Sequence, residues 1–137
     1  MQVTKMKILD EYPPNYRDIV DALGDVTGAV FCYGDTIYNP FAIEILPDIE
    51  IHEQVHSKQQ GDAVNVWYHR YLTDAHFRLA QEIEAYGEQY NFIKKLMGGS
   101  LLKWRLDQMA QALSGKEYGN IISYGEAISK IRNYGKY

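Results

Sequence analysis

The segment Ile49 to Gln60 carries His52-Glu53-Gln54-Val55-His56, two histidines one helical turn apart, and this spacing constrains the fold more than any other feature of the chain. Pro47-Asp48 precede the segment and Gly61 follows it, punctuation that starts and stops a helix. On that helix residues four apart project from one face, so both imidazoles point the same way. With 137 residues, every element has to contribute to a single core. The expectation is one domain over 1–137, with its core in 29–96 and a helical C-terminal extension in 101–137.

Around this helix the periodicity switches twice. Tyr16 to Leu23 has helical spacing ended by Gly24. Ala29 to Tyr33 and Thr36 to Asn39 are rich in β-branched and aromatic residues and flank the pair Gly34-Asp35, which predicts a β-hairpin. From Val64 to Leu96 the pattern is helical again, broken at Thr73 or Asp74, either of which can cap a second long helix from Phe77 to Leu96. Gly98-Gly99-Ser100 and Ser114-Gly115 delimit a helix over Leu101 to Leu113, and Ser123 to Ile131 forms a last amphipathic stretch. The fold class expected is α+β, mainly helical, with a small hairpin or sheet.

Composition narrows the functions. A net charge of -4 provides no basic field for phosphates, so no nucleic acid is expected as partner. No apolar run is long enough for a bilayer, and the first ten residues lack the apolar stretch of a secretion signal, so the expectation is a cytoplasmic protein with no membrane partner. The single cysteine, Cys32, sits in an apolar run and reads as a small core residue.

Two histidines on one helical face suit a zinc ion, which binds imidazole nitrogen at about 2.0–2.1 Å. Glu53, one residue after the first ligand, is placed to take a proton from water and return it to a leaving amine. A third ligand close by would follow the pattern H-E-x-x-H-x-x-G-x-x-H, but Gln59 stands where the glycine belongs and Asp62 where the ligand belongs. The better source is the helix after Phe77. Leu79, Ile83, Tyr86, Tyr90 and Ile93 form its core-facing stripe. At about 100° per residue, Glu82 lies roughly 80° from the middle of that stripe and Glu84 roughly 120°. A carboxylate on the buried flank needs a cation, so Glu82 is the first choice and Glu84 the second. Two histidines and one carboxylate leave a position open for water, as a catalytic zinc requires.

These residues resemble the gluzincin metallopeptidases, whose motif is H-E-x-x-H with a glutamate ligand on a downstream helix. The match comprises His52, Glu53, His56 and Glu82-Ile83-Glu84-Ala85, and it looks especially like small stand-alone members from bacteria and phages, through Trp67-Tyr68-His69-Arg70-Tyr71-Leu72. The resemblance implies a minimal zincin-like domain, zinc as cofactor and a peptide or protein as substrate. For a phage-encoded chain it implies the host cytoplasm. In the branch whose glutamate helix reads E-x-x-A-D, aligning Ala85 selects Glu82 and puts Tyr86 where an aspartate orients a zinc histidine; selecting Glu84 would put Glu88 there. The resemblance further implies that the hairpin pairs with extended substrate. It leaves His69, His76, Tyr118 and Tyr124 as candidate oxyanion donors. The alternative is a non-catalytic metal-binding structural or partner-binding protein, such as a phage component.

Overall fold

The computed structural model describes residues 5–136. Strand β1 (Lys7–Leu9) leads to helix α1 (Tyr16–Leu23), strands β2 (Phe31–Tyr33) and β3 (Thr36–Tyr38), and helices α2 (Pro47–Gln60), α3 (Val64–Thr73), α4 (Ala75–Leu96), α5 (Gly99–Leu113) and α6 (Tyr124–Arg132). A short 3-10 turn, Lys116–Tyr118, joins α5 to α6. The described residues are therefore mainly helical with a three-stranded sheet of order β1-β3-β2, an α+β arrangement. Among them no helix is long and apolar enough to cross a membrane.

The hairpin lies where the sequence predicts it, with Cys32 opposite Ile37 in antiparallel register. The sequence reading lacks β1, which pairs in parallel with β3, Ile8 opposite Ile37. Helix α2 begins two residues early because Pro47 itself occupies the first turn, where its missing N–H costs nothing. Helix α4 also begins two residues early, at Ala75, because Asp74 caps it by accepting from the Phe77 N–H at 3.1 Å. At the far end, Ser123 and Glu126 form a reciprocal capping box that starts α6.

Two apolar clusters hold the chain. Ile19, Phe31, Trp67, Tyr68 and Tyr71 join α1 and the sheet to α3. Leu79 and Tyr90 of α4 pack with Met109, Leu113, Tyr118, Ala127 and Ile131, so residues beyond 96 share a core with the glutamate helix. Of the predicted stripe on α4, Leu79, Tyr90 and Ile93 are buried, and Ile83 and Tyr86 pack against the second cluster. Between the clusters α2 and α4 run antiparallel: Asp48 and His52 face Gln89, while Gln59 faces Gln81 and Glu84. The side chains buried there are polar, and they make the site.

Candidate metal centre

Helix α2 buries Asp48, His52, Glu53, His56 and Gln60, and Ile51 is its one buried apolar residue. Buried charge is expensive in an apolar interior, so this face is explained only by what it meets. Across from it α4 presents Glu82. Its Oε1 lies 3.0 Å from His52 Nε2 and its Oε2 lies 3.1 Å from His56 Nε2. The two Nε2 atoms are 3.1 Å apart. His52, His56 and Glu82 each offer one ligand atom, all within 4.8 Å of one another, and they are the group among the described residues that could hold a metal ion. Of the three carboxylates weighed as third ligand, Glu82 faces the histidines, whereas Glu84 is exposed and Asp62 lies past the end of α2, outside the group.

The outer ring nitrogens settle what the inner ones offer. Gln89 Nε2 donates to Asp48 Oδ2 at 2.8 Å, which leaves Gln89 Oε1 to accept from His52 Nδ1 at 2.9 Å. Asp48, fully buried, is held in turn by Arg105 of α5, whose Nε lies 2.7 Å from Oδ2. Gln59 repeats the device on the other side. Its Nε2 donates to the Gln81 carbonyl at 3.0 Å and to Glu84 Oε1 at 2.7 Å, so its Oε1 accepts from His56 Nδ1 at 2.8 Å. Both histidines thus carry hydrogen on Nδ1, and in their neutral forms direct Nε2 lone pairs at each other and at a carboxylate. That is a donor set for a cation: two imidazoles and one carboxylate fit zinc, and Glu82 Oε1, buried and without a hydrogen-bond partner, fits a ligand atom.

Electrostatics agree. Burial opposes a charge on His56, but Glu82 outweighs it and raises His56 to about 9, so a proton takes the cation's place when none is bound. Burial also opposes ionisation of Glu82, yet His56 and His52 hold its carboxyl well below the usual range. Tyr71 donates to Glu82 Oε2 at 2.5 Å, and its ring stacks on Trp67 at 4.7 Å, which also faces His56. The three aromatic residues of the Trp67 segment therefore form one wall of the site. Glu53 stays outside the ligand group, its Oε2 3.8 Å from His52 Nε2.

Comparison with protein-family models, with curated proteins and with solved structures finds no match. The chemistry of the site therefore rests on its own geometry. His52, Glu53, His56 and Glu82 line a cavity of about 400 Å³ with Tyr86 and Tyr118. Of the residues weighed as oxyanion donors, His69 and His76 are exposed, and Tyr124 is exposed and donates to Asp107 at 2.6 Å; Tyr118 alone of the four lines the cavity.

Tyr86 does not orient His52. Its ring lies against that imidazole, centroids 4.5 Å apart, and the orienting group is Gln89, one residue beyond Glu88. Sequence reasoning missed Gln89, Gln59, Asp48 and Arg105, because a glutamine carries no titratable signature and Arg105 comes from another helix. The signal available was periodicity, since Gln89 stands two helical turns after Glu82 on the same face. Gln89→Ala should weaken zinc binding by roughly 10- to 100-fold while leaving the far-ultraviolet circular dichroism unchanged, as loss of an outer partner does in metal sites. Unaltered affinity in a competition titration would remove Gln89 from the site.

Proposed function

We propose that the chain is a zinc-dependent hydrolase of peptide bonds, a single minimal zincin-like domain over 1–137 of gluzincin type. His52, His56 and Glu82 are the metal ligands, and Glu53 is the general base and acid. The observation that carries this reading is the convergence of three donor atoms, with both histidine rings held from behind at Nδ1, next to a carboxylate left out of the ligand group. Zinc, when bound, supplies a Lewis acid that polarises a carbonyl and eases the ionisation of water.

The chain's own residues do the rest. Glu53 takes a proton from the attacking water, the water oxygen bonds to the carbonyl carbon, the C–N bond breaks, and Glu53 gives the proton to the departing amine. Burial raises the pKa of Glu53 against the lowering effect of His52 and His56, and Glu82 adds to the rise. The shift brings the carboxylate toward the range where a base works at neutral pH. Tyr68 and Tyr71 already donate to the Cys32 carbonyl and to Glu82, whereas Tyr86 and Tyr118 also line the cavity and are the phenols offered to a developing oxyanion.

A chelator should abolish cleavage of unstructured peptides, and stoichiometric zinc should restore it. Cleavage that survives complete removal of metal would contradict the proposal. One observation favours a second reading, a metal site that serves stability or partner binding without turnover: His52, Glu53, His56 and Glu82 are only 3–8% exposed. Under that reading zinc raises the melting temperature and no peptide is cut.

A further inference from the structure

The edge of the hairpin beside the metal ligands is closed at one end. Tyr33 pairs with Thr36 across the two-residue turn, so Cys32, the next residue along β2, turns its backbone N–H and C=O away from β3 and toward α2 and α3. An extended peptide would pair with such an edge. Here the Cys32 carbonyl already accepts from Gln60 Nε2 at 2.8 Å and from the Tyr68 hydroxyl at 2.6 Å. Gln60 Oε1 also accepts from the Gly34 N–H at 2.7 Å. One side-chain amide thus donates to a carbonyl and accepts from the N–H two residues on, the pattern a parallel neighbouring strand would make. Gln60, 3% exposed, occupies the place of an added strand.

The cavity stops at the same point. It is lined by the chain from Gly28 to Cys32 but not by Tyr33 or Gly34, and Trp67 and Tyr71 beside His56, with Tyr68 against the Cys32 carbonyl, line it there. In the other direction it continues past Ile49 to Arg105 and Gln108. We infer that the cleft is blind on the Gln60 side, so that a polypeptide lies to one side of the reacting centre and the protein trims residues from a chain end instead of cutting within a chain. Interior scission would need extended substrate on both sides, at about 3.3 Å per residue, where Gln60 and Tyr68 stand. This inference rests on the peptidase reading above and goes further by naming the substrate class.

The test uses zinc-loaded wild-type protein and a pool of unstructured short peptides prepared free-ended, amino-blocked, carboxyl-blocked and blocked at both ends, with products read by mass spectrometry. The expected result is loss of a few residues from one end and loss of all cleavage when that end is blocked. Interior cleavage of doubly blocked peptides would overturn the blind end while leaving the peptidase reading standing. No cleavage of any form would overturn the peptidase reading and the inference with it. Hydrogen exchange supplies a readout without turnover: in zinc-loaded Glu53→Gln, the free-ended pool should slow exchange within residues 28–32 and leave Gly34 unchanged, and new protection at Gly34 would overturn the inference.

Discussion

Replacing Glu53 by glutamine should leave zinc bound at full stoichiometry and lower kcat for peptide cleavage by roughly 10²- to 10⁴-fold, the contribution of a positioned general base. Glutamine has nearly the shape of glutamate, so the packing of α2 is kept, and Glu53 is not one of the converging donors. The substitution also removes a buried carboxylate whose ionisation burial disfavours, so it should not lower thermal stability. Metal analysis and steady-state kinetics on the same preparation separate the two effects. Cleavage retained within a few fold of wild type would remove Glu53 from the mechanism, and loss of zinc would show that it belongs with the ligands.

Glu82→Gln should have the larger effect on the metal. Structural zinc sites gain about 10–16 kcal/mol from their ligand set, or on the order of 3 kcal/mol per ligand, so removing the anionic ligand should weaken zinc binding on the order of a hundredfold or more. Glutamine keeps an oxygen for the Tyr71 hydroxyl, which avoids leaving that buried group unpartnered. Without the carboxylate, the largest cause that raises His56 is gone, and burial opposes its charge against only Glu53 and Gln59. Glu84→Ala is the control: Glu84 is exposed and reaches the site only through Gln59, so zinc affinity should change far less. The reverse order of effects, measured by competition with a chromogenic chelator, would overturn the assignment of the third ligand.

What could be read from the sequence follows from what leaves a periodic trace. His52 and His56 were legible because a four-residue spacing on a helix fixes a common face, and Glu82 was preferred to Glu84 because its angle from the apolar stripe put it on the buried flank. The hairpin was legible from the two-residue Gly34-Asp35 turn. Strand β1 was not, since three residues at a sheet edge carry no alternation and its parallel partner lies far along the chain. Gln59 and Gln60 left no trace, and Gln89 only its place on the Glu82 face, for a chemical reason: the amide is neutral, and its value lies in donating on one side while accepting on the other, which depends on partners from other elements. Gln60 also changes the expected part of the hairpin in substrate binding, because its amide takes up the edge at Cys32. Arg105 lies in the segment expected to be an extension, yet its hold on Asp48 reaches His52 through Gln89.

His52, His56 and Glu82 are proposed to hold one zinc ion. X-ray absorption at the zinc edge of wild-type protein purified without added metal tests it most directly, because it reads the ligands themselves. Bound zinc should amount to about one per chain, with imidazole nitrogen at about 2.0–2.1 Å, carboxylate oxygen at about 2.0–2.2 Å and no sulfur. Protein that binds no zinc after addition of the metal, or a zinc signal unchanged when His52 and His56 are both replaced by alanine, would contradict it.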